Sequence, residues 1–230
     1  MKKALLLSTL LYLLSPLSTH AQTVDILWEG DGYTPPFYEG GVPWTSEGVV
    51  RFVAVPEGLG NPATLDYKWT RNGTVLGNTN GVGANTLEID DSLFSRPQSV
   101  SVEIVSGDTI LASDAAYVTP RIPKLLVYEN NPLYGFLFNQ EVSGNYTLAQ
   151  QELRLTAFPL FFSIPTRSYP YITYTWRSGG REDSASDSVT YRAPEGASGA
   201  ASVSVKATNT ETLKQIVEKN FLIQFNNELK

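Results

Sequence analysis

The sequence predicts an all-β protein that contains two tandem antiparallel β-sandwich domains. Short segments place a bulky side chain at every second position, which is the two-residue period of a strand that buries one face. Turn-forming Gly, Asn and Pro residues separate these segments at intervals of about 8 to 12 residues, a spacing typical of antiparallel sandwiches. The clearest segments each carry Tyr and Trp two positions apart. We predict that these rings, Tyr67 with Trp69 and Tyr174 with Trp176, form the centres of two structural cores.

Four segments of the first half recur in the second half in the same order. They are residues 27–29 with 127–129, 50–56 with 153–159, 65–70 with 172–177 and 99–104 with 202–207. The offsets are 100, 103, 107 and 103 residues, so only the loop lengths differ. Kept order with variable loops indicates a duplicated domain.

The first 21 residues have the layout of a secretory signal peptide. Lys2 and Lys3 precede an apolar run, residues 4–17, and small residues follow up to Ala21. The run is short for a membrane span, which needs about 20 apolar residues. We therefore expect cleavage after Ala21 and export to the periplasm, the cell surface or the medium, with no membrane span in the mature chain.

The composition of the mature chain excludes several kinds of chemistry. The single His and the single Met are His20 and Met1, and the sequence has no Cys. A Ser-His-Asp or Cys-His catalytic site cannot be built without these residues, and neither can zinc, copper, haem or iron-sulfur sites that use them as ligands. Disulfides are excluded as well, so each domain of about 100 residues relies on its hydrophobic core. We expect no cofactor.

The negative charge is concentrated in the first half. Residues 22–120 contain 13 Asp and Glu against 4 Lys and Arg, whereas residues 121–230 contain 10 against 11. Nucleic acid binding requires a basic patch to neutralise phosphates. The sequence therefore argues against a nucleic acid partner.

The predicted boundaries are 22–120 for the first domain and 121–230 for the second. Pro120 and Pro123 stiffen the linker between them, because proline fixes φ and removes a donor. The first domain is predicted to have strands at residues 24–28, 49–55, 65–70, 86–89, 100–105 and 109–112, and Asn72-Gly73 favours a hairpin turn after the third. The second is predicted to have strands at residues 124–128, 153–158, 171–177, 188–191, 202–208 and 220–225, with a helical turn at 212–218. The apolar stretch 158–164 is expected to be buried against the first domain or the core, and part of it to meet the first domain.

Two motifs carry a family resemblance. Residues 67–73 together with residues 86–89 resemble the C, C′ and E strands of immunoglobulin-like modules. Tyr174-x-Trp176 is similar to the signature of bacterial PKD domains, but the Phe-Gly-Asp-Gly continuation is missing, and so is the immunoglobulin disulfide. The broader resemblance, to tandem immunoglobulin-like sandwiches, implies a secreted, non-enzymatic binding, adhesion or structural module. Its implied partner is a protein or polysaccharide at the cell surface.

Carboxylate pairs are one candidate site. Glu29 with Asp31, or Asp90 with Asp91, would serve a glycosidase if they faced each other across about 5 to 9.5 Å. The same oxygens are ligands that calcium prefers, although no defined calcium-binding spacing occurs. Calcium is therefore the one metal that the sequence leaves open, and no catalytic residue is assigned.

Aromatic residues near the first strand are the other candidate site. Tyr33, Phe37, Tyr38 and Trp44 lie in a segment rich in Pro and Gly, and the second copy carries Tyr134, Phe136 and Phe138 in the corresponding part. Flat rings on a loop can stack on sugars, which gives the alternative function of a carbohydrate-binding accessory protein. The other interpretation is that these rings seal the ends of the sandwiches and the joint between the domains.

Overall fold

Seventeen β-strands and one short 3₁₀ turn, Pro62–Thr64, form the regular structure of the residues that the computed structural model describes. The structure describes residues 21–90, 96–148, 151–193, 195–196, 198–212 and 215–225. The strands of the first half are β1 Thr23–Gly30, β2 Val49–Glu57, β3 Asp66–Arg71, β4 Thr74–Val75, β5 Gly81–Val82, β6 Thr86–Asp90, β7 Gln98–Ser106 and β8 Thr109–Val118. Those of the second half are β9 Lys124–Asn131, β10 Gly135–Glu141, β11 Gly144–Thr147, β12 Glu152–Leu160, β13 Ile172–Ser178, β14 Arg181–Ser184, β15 Ser188–Arg192, β16 Gly199–Asn209 and β17 Ile216–Phe225.

The first half of the chain folds into a two-layer sandwich. One sheet has the order β1-β2-β6, and the other has the order β4-β3-β7-β8, with β5 pairing to β3. Alternate residues of both sheets point inward and form one hydrophobic cluster around Phe52, Tyr67 and Trp69. The packing of β1, β2 and β6 against β3, β7 and β8 is the immunoglobulin-like arrangement.

The second half repeats this arrangement with two additional strands. Its sheets have the orders β10-β9-β12-β15 and β11-β17-β16-β13-β14. The additions are β10, which extends the first sheet, and β11, which pairs in parallel with β17. A separate hydrophobic cluster lies between the sheets. The predicted all-β fold with two tandem immunoglobulin-like sandwiches is confirmed, while the exact domain boundaries stay predictions.

The two tryptophans make the same contacts in the two sandwiches. Both indole rings are fully buried. The Nε1 of Trp69 donates to the carbonyl oxygen of Ala84 at 2.7 Å, and that of Trp176 donates to Ser186 at 2.9 Å. Each acceptor lies two residues before the start of an equivalent strand, β6 or β15. The repeat therefore extends to individual hydrogen bonds.

The strand pairing corrects one of the four sequence matches. Trp28 pairs with Phe52 in the first sandwich, whereas Glu129 pairs with Leu155 in the second. Since Phe52 and Leu155 are equivalent, Leu27 corresponds to Tyr128, with an offset of 101 rather than 100 residues. A one-residue slip moves every side chain to the other face of the sheet, so this correction decides which residues are comparable.

Other expectations differ from the structure in smaller ways. The helical turn expected at 212–218 is wrong from Ile216 onward, because β17 begins there and pairs with β16. The predicted signal peptide, apart from Ala21, lies outside the described residues, and so does Asp91. Within the described ranges, no helix has the length and hydropathy needed to cross a membrane.

Candidate functional site at the joint between the sandwiches

The segment between β1 and β2 leaves the first sandwich and contacts the second. It begins at Gly30, where the backbone N–H donates to the carbonyl oxygen of Val42 at 2.8 Å. A Cβ atom at Gly30 would lie 2.2 Å from the carbonyl oxygen of Pro43, so only glycine permits this close approach. The backbone N–H of Tyr33 then donates to the carbonyl oxygen of Phe162 in the second sandwich at 2.7 Å.

Phe37 is the centre of an aromatic cluster at this joint. The centroid of its ring lies 4.9 Å from that of Phe138, 5.1 Å from that of Tyr128 and 5.7 Å from that of Phe158. Two of these three contacts are edge-to-face, the geometry that aromatic pairs prefer. Because Phe37 belongs to the first domain and its partners belong to the second, the cluster couples the two sandwiches.

Arg167 covers the cluster on the second sandwich. Its guanidinium carbon lies 4.8 Å from the ring centroid of Phe158 and 5.3 Å from that of Phe136. The Nε of Arg167 also lies 3.0 Å from Oδ2 of Asp187. A cation over an aromatic face is attracted by the ring quadrupole, and the carboxylate holds the guanidinium in this position.

Gln215 forms the polar part of the joint. It is fully buried. Its Nε2 donates to the carbonyl oxygen of Ser46 at 2.7 Å, and its Oε1 accepts from the backbone N–H of Ser163 at 2.8 Å and from Nδ2 of Asn209 at 2.9 Å. One amide side chain therefore satisfies backbone groups of both sandwiches, as a buried polar group requires.

Ser163 adds two further contacts between the sandwiches. Its hydroxyl shares a hydrogen bond of 2.6 Å with that of Thr45 and donates to Oδ1 of Asp31 at 3.2 Å. A Cβ at Gly48 would lie within 2.5 Å of oxygen atoms of all three side chains. A side chain at position 48 would therefore push these three groups apart.

Asp31 is the titratable group of this network. Desolvation against the joint raises the pKa of its carboxyl group, although part of the residue remains exposed. Hydrogen bonds from the backbone N–H of Val49, its own N–H and the hydroxyl of Ser163 oppose this increase, whereas the nearby charge of Asp90 adds to it. The net result is a carboxyl group that binds a proton more readily than an exposed aspartate.

The linker is tied to the first sandwich by backbone hydrogen bonds. The N–H of Arg121 donates to the carbonyl oxygen of Trp44 at 2.7 Å, and the N–H of Ser46 donates to that of Arg121 at 3.1 Å. Thr45 and Arg121 thereby form a parallel β-bridge. The chain is thus fixed immediately before it enters the second domain.

The four aromatic residues considered for ligand binding all take part in internal contacts. Tyr33, Phe37 and Tyr38 are half-buried, and Tyr38 packs against Phe161 with ring centroids 6.1 Å apart. Trp44 is fully buried, and its Nε1 donates to the carbonyl oxygen of Gly48 at 2.9 Å, so it offers no surface to a ligand. The expected contact between residues 158–164 and the first domain is confirmed.

The remaining candidates are brought together only in part: Asp90 lies near Asp31, and two of the three rings of the second copy contact each other. Phe136 and Phe138 belong to the aromatic cluster, whereas Tyr134 is exposed at the turn between β9 and β10. Glu29 is exposed on the outer face of the first sandwich, whereas the side chain of Asp31 lies at the joint. In the part of the chain that the structure describes, no group of three or more Asp, Glu, His or Cys could hold a metal ion.

The sequence interpretation missed the polar residues of the joint. Ser163, Asn209 and Gln215 lie in loops or at strand ends, where such residues usually face water. Their role depends on backbone groups of the other sandwich, which no local pattern indicates. The signals for this site were the apolar stretch 158–164, which contains Ser163, and the aromatic rings near the first strand.

Comparisons with known proteins find similar architectures but no relative. No protein-family profile matches the sequence, and no curated protein is a significant match. One solved structure contains the three N-terminal domains of the Highly Immunogenic Outer Capsid protein of bacteriophage RB49, with 17% identity, a TM-score of 0.46 and coverage of 89% of this chain. This chain spans 59% of that structure.

Two further structures are more distant. The N-terminal Ig1-2 module of the Drosophila receptor protein tyrosine phosphatase DLAR is 9% identical with a TM-score of 0.26, and the comparison covers 89% of this chain and 99% of that one. The adhesin InvE of Yersinia pseudotuberculosis is 13% identical with a TM-score of 0.20, covering 80% and 55%. The tandem immunoglobulin-like architecture therefore rests on the strand order of this chain itself.

Proposed function

We propose that this protein is an exported, non-enzymatic structural or binding module of the periplasm or the cell surface, in which the two sandwiches act as one unit. The observation that carries this proposal is the joint, where Phe37 inserts among aromatic residues of the second domain. Interfaces between domains of one chain are commonly polar and mobile. A joint that combines an aromatic cluster with a buried glutamine resists bending, which suits a protein that holds a binding surface at a fixed distance and direction.

The alternative, a carbohydrate-binding accessory protein, is supported less well by the positions of the rings. That function needs a ring face open to solvent. Trp44 is fully buried, and Phe37 is used inside the protein. A protein partner is therefore favoured over a polysaccharide.

Export is tested by producing the full chain in a bacterial host and sequencing the amino terminus of the protein in each fraction. A periplasmic or extracellular protein that begins at Gln22 is the expected result. A cytoplasmic chain that retains Met1 would contradict export.

Binding is tested with purified mature protein, residues 22–230, and intact cells of the source organism. We expect saturable binding that is lost when the cells are treated with protease and retained after periodate oxidation of their glycans. The Phe37→Ala variant tests whether binding depends on the joint, and its binding is expected to be weaker. Loss of binding only after periodate would instead support a polysaccharide partner, and the absence of saturable binding would contradict the proposal.

A further inference from the structure

The outer face of the first sheet leaves apolar side chains uncovered. Leu27 is 61% exposed and Val55 is 38% exposed, and Val53 lies between them on the same face. Leu27 and Val53 border a shallow hollow of about 280 Å³, whose other lining residues are Trp28, Glu29 and Arg51. We call the face formed by Leu27, Val53 and Val55 the open face.

The equivalent face of the second sandwich is covered. Strand pairing aligns Leu27 with Tyr128, Val53 with Thr156 and Val55 with Phe158. Tyr128 is only 7% exposed, and Phe158 only 1%. The cover comes in part from Phe37, which belongs to the segment that follows the first strand of the preceding domain.

The turn that follows the first strand of the second domain leaves two large apolar side chains exposed. It is the turn between β9 and β10, where Leu133 is 78% exposed and Tyr134 is 77% exposed. The side-chain Oδ1 of the buried Asn131 accepts hydrogen bonds from the backbone N–H of Leu133 at 3.0 Å and from that of Tyr134 at 3.3 Å. This Asx turn fixes the backbone of the two residues, which we call the tip. With the offset of 101, Tyr134 stands where Tyr33 stands in the first domain.

We propose that copies of this protein associate head to tail, with the tip of one copy bound to the open face of the next. The open face is the repeat equivalent of the face that Phe37 covers at the joint, and Tyr134 is the repeat equivalent of Tyr33, whose backbone N–H donates to Phe162 of the second sandwich. The contact joins two different surfaces, so it leaves a free tip and a free open face at the ends and can be extended to an open chain of copies. This inference goes beyond the proposed function, since the joint can be rigid whether or not copies associate.

The charges favour this arrangement over pairing of two open faces. The outward positions of β1, β2 and β6 carry one cation, Arg51, which is paired with Glu88, and several carboxylates. The carboxylates are those of Asp25, Glu29, Glu57, Glu88 and Asp90. Two such faces would repel each other, whereas the tip lies in a stretch, residues 130–140, that contains no charged residue.

The first experiment is a complementation assay by sedimentation velocity. The tip variant is Leu133→Ser with Tyr134→Ser, and the face variant is Leu27→Ser with Val55→Ser; all four side chains have substantial exposed area, so folding should be unaffected. Protein concentrations are raised to about 1 mM, because contacts of small area are weak. The wild-type chain is expected to associate progressively, each variant alone to remain monomeric, and an equimolar mixture of the two to form a dimer. A monomeric wild-type chain, a variant that still associates alone, or a mixture that stays monomeric would each overturn the proposal.

The second experiment uses the absence of cysteine from the sequence. Chains with Tyr134→Cys are mixed with chains carrying Leu27→Cys under mild oxidation, and the mixed disulfide is quantified. The control partner carries Val82→Cys, which is 70% exposed on the other sheet. Cross-linking to the open face is expected to be several-fold faster than to the control, and equal rates would overturn the proposal.

Discussion

Trp69 and Trp176 each combine a fully buried ring with a hydrogen-bonded indole nitrogen. We predict that Trp69→Ala and Trp176→Ala each lower the free energy of unfolding by about 3 to 5 kcal/mol, because the cavity left by the ring cannot collapse completely. Urea denaturation followed by circular dichroism measures this change. Val82→Ala, at an exposed position, is the control. A loss of less than about 1 kcal/mol at either tryptophan would contradict its role as the centre of the core.

Asp31 gives the joint a pH dependence whose sign follows from its raised pKa. The folded chain binds a proton at Asp31 more readily than the unfolded chain, so this group increases the free energy of unfolding as the pH falls from neutral through the raised pKa. We predict that Asp31→Asn stabilises the protein relative to wild type most at neutral pH, and that the difference shrinks as the pH approaches 4.

Thermal unfolding across this range of pH measures the effect of Asp31. The control variant is Asp108→Asn, which removes the same charge from an exposed turn and corrects for net charge. An Asp31→Asn variant that loses stability at neutral pH would show that the carboxylate form is the one that the joint favours.

At the scale of the element, β1 illustrates how an edge strand is protected. The backbone N–H of Ile26 points away from β2 and donates to Oδ2 of Asp114 on β8, in the opposite sheet, at 2.7 Å. This contact satisfies a donor that would otherwise be free to pair with another chain. Because it also links the two sheets, Asp114 contributes to closure of the sandwich.

We predict that Asp114→Ala lowers the free energy of unfolding by about 1 to 3 kcal/mol, the range for a donor that loses its partner. Asp114→Asn keeps an acceptor oxygen and is expected to retain most of the stability. Amide hydrogen exchange measured by NMR gives a local readout, with faster exchange at Ile26 in the alanine variant. Unchanged exchange at Ile26 would contradict the assigned contact.

The strands with alternating side chains were predictable, whereas register and joint contacts were not. Tyr67 and Trp69 identify β3 because burial of one face imposes a period of two on the sequence. The match of Leu27 to Val127 failed by one residue, since short apolar strands look alike in either register. β10 and β11 were missed because their pairing partners, rather than their own side-chain pattern, define them. Gln215 was missed because its contacts lie in the other sandwich.

At the scale of the whole molecule, the joint combines an apolar contact with a hydrogen-bonded contact. Phe37 contributes apolar area, and Gln215 satisfies backbone groups on both sides. Removal of the ring exposes aromatic surface, whereas removal of the amide leaves buried donors and acceptors without partners. Phe37 and Gln215 belong to the same joint, so the losses of stability caused by substituting each of them are not expected to be additive.

We predict that Phe37→Ala costs about 2 kcal/mol of stability, as expected for an aromatic side chain that is only partly buried, and loosens the joint while both sandwiches remain folded. The separate variant Gln215→Ala is expected to loosen the joint more than Phe37→Ala does, because Ser46 and Ser163 each lose a hydrogen bond. Small-angle X-ray scattering of the whole mature chain measures this change: wild-type data should fit a single interdomain orientation, and the data of the variants should require a range of orientations. Tyr117→Ala, at a position that is 70% exposed and outside the joint, is the matched control. Scattering curves of the Phe37→Ala and Gln215→Ala variants that superimpose on the wild-type curve would show that neither contact fixes the joint.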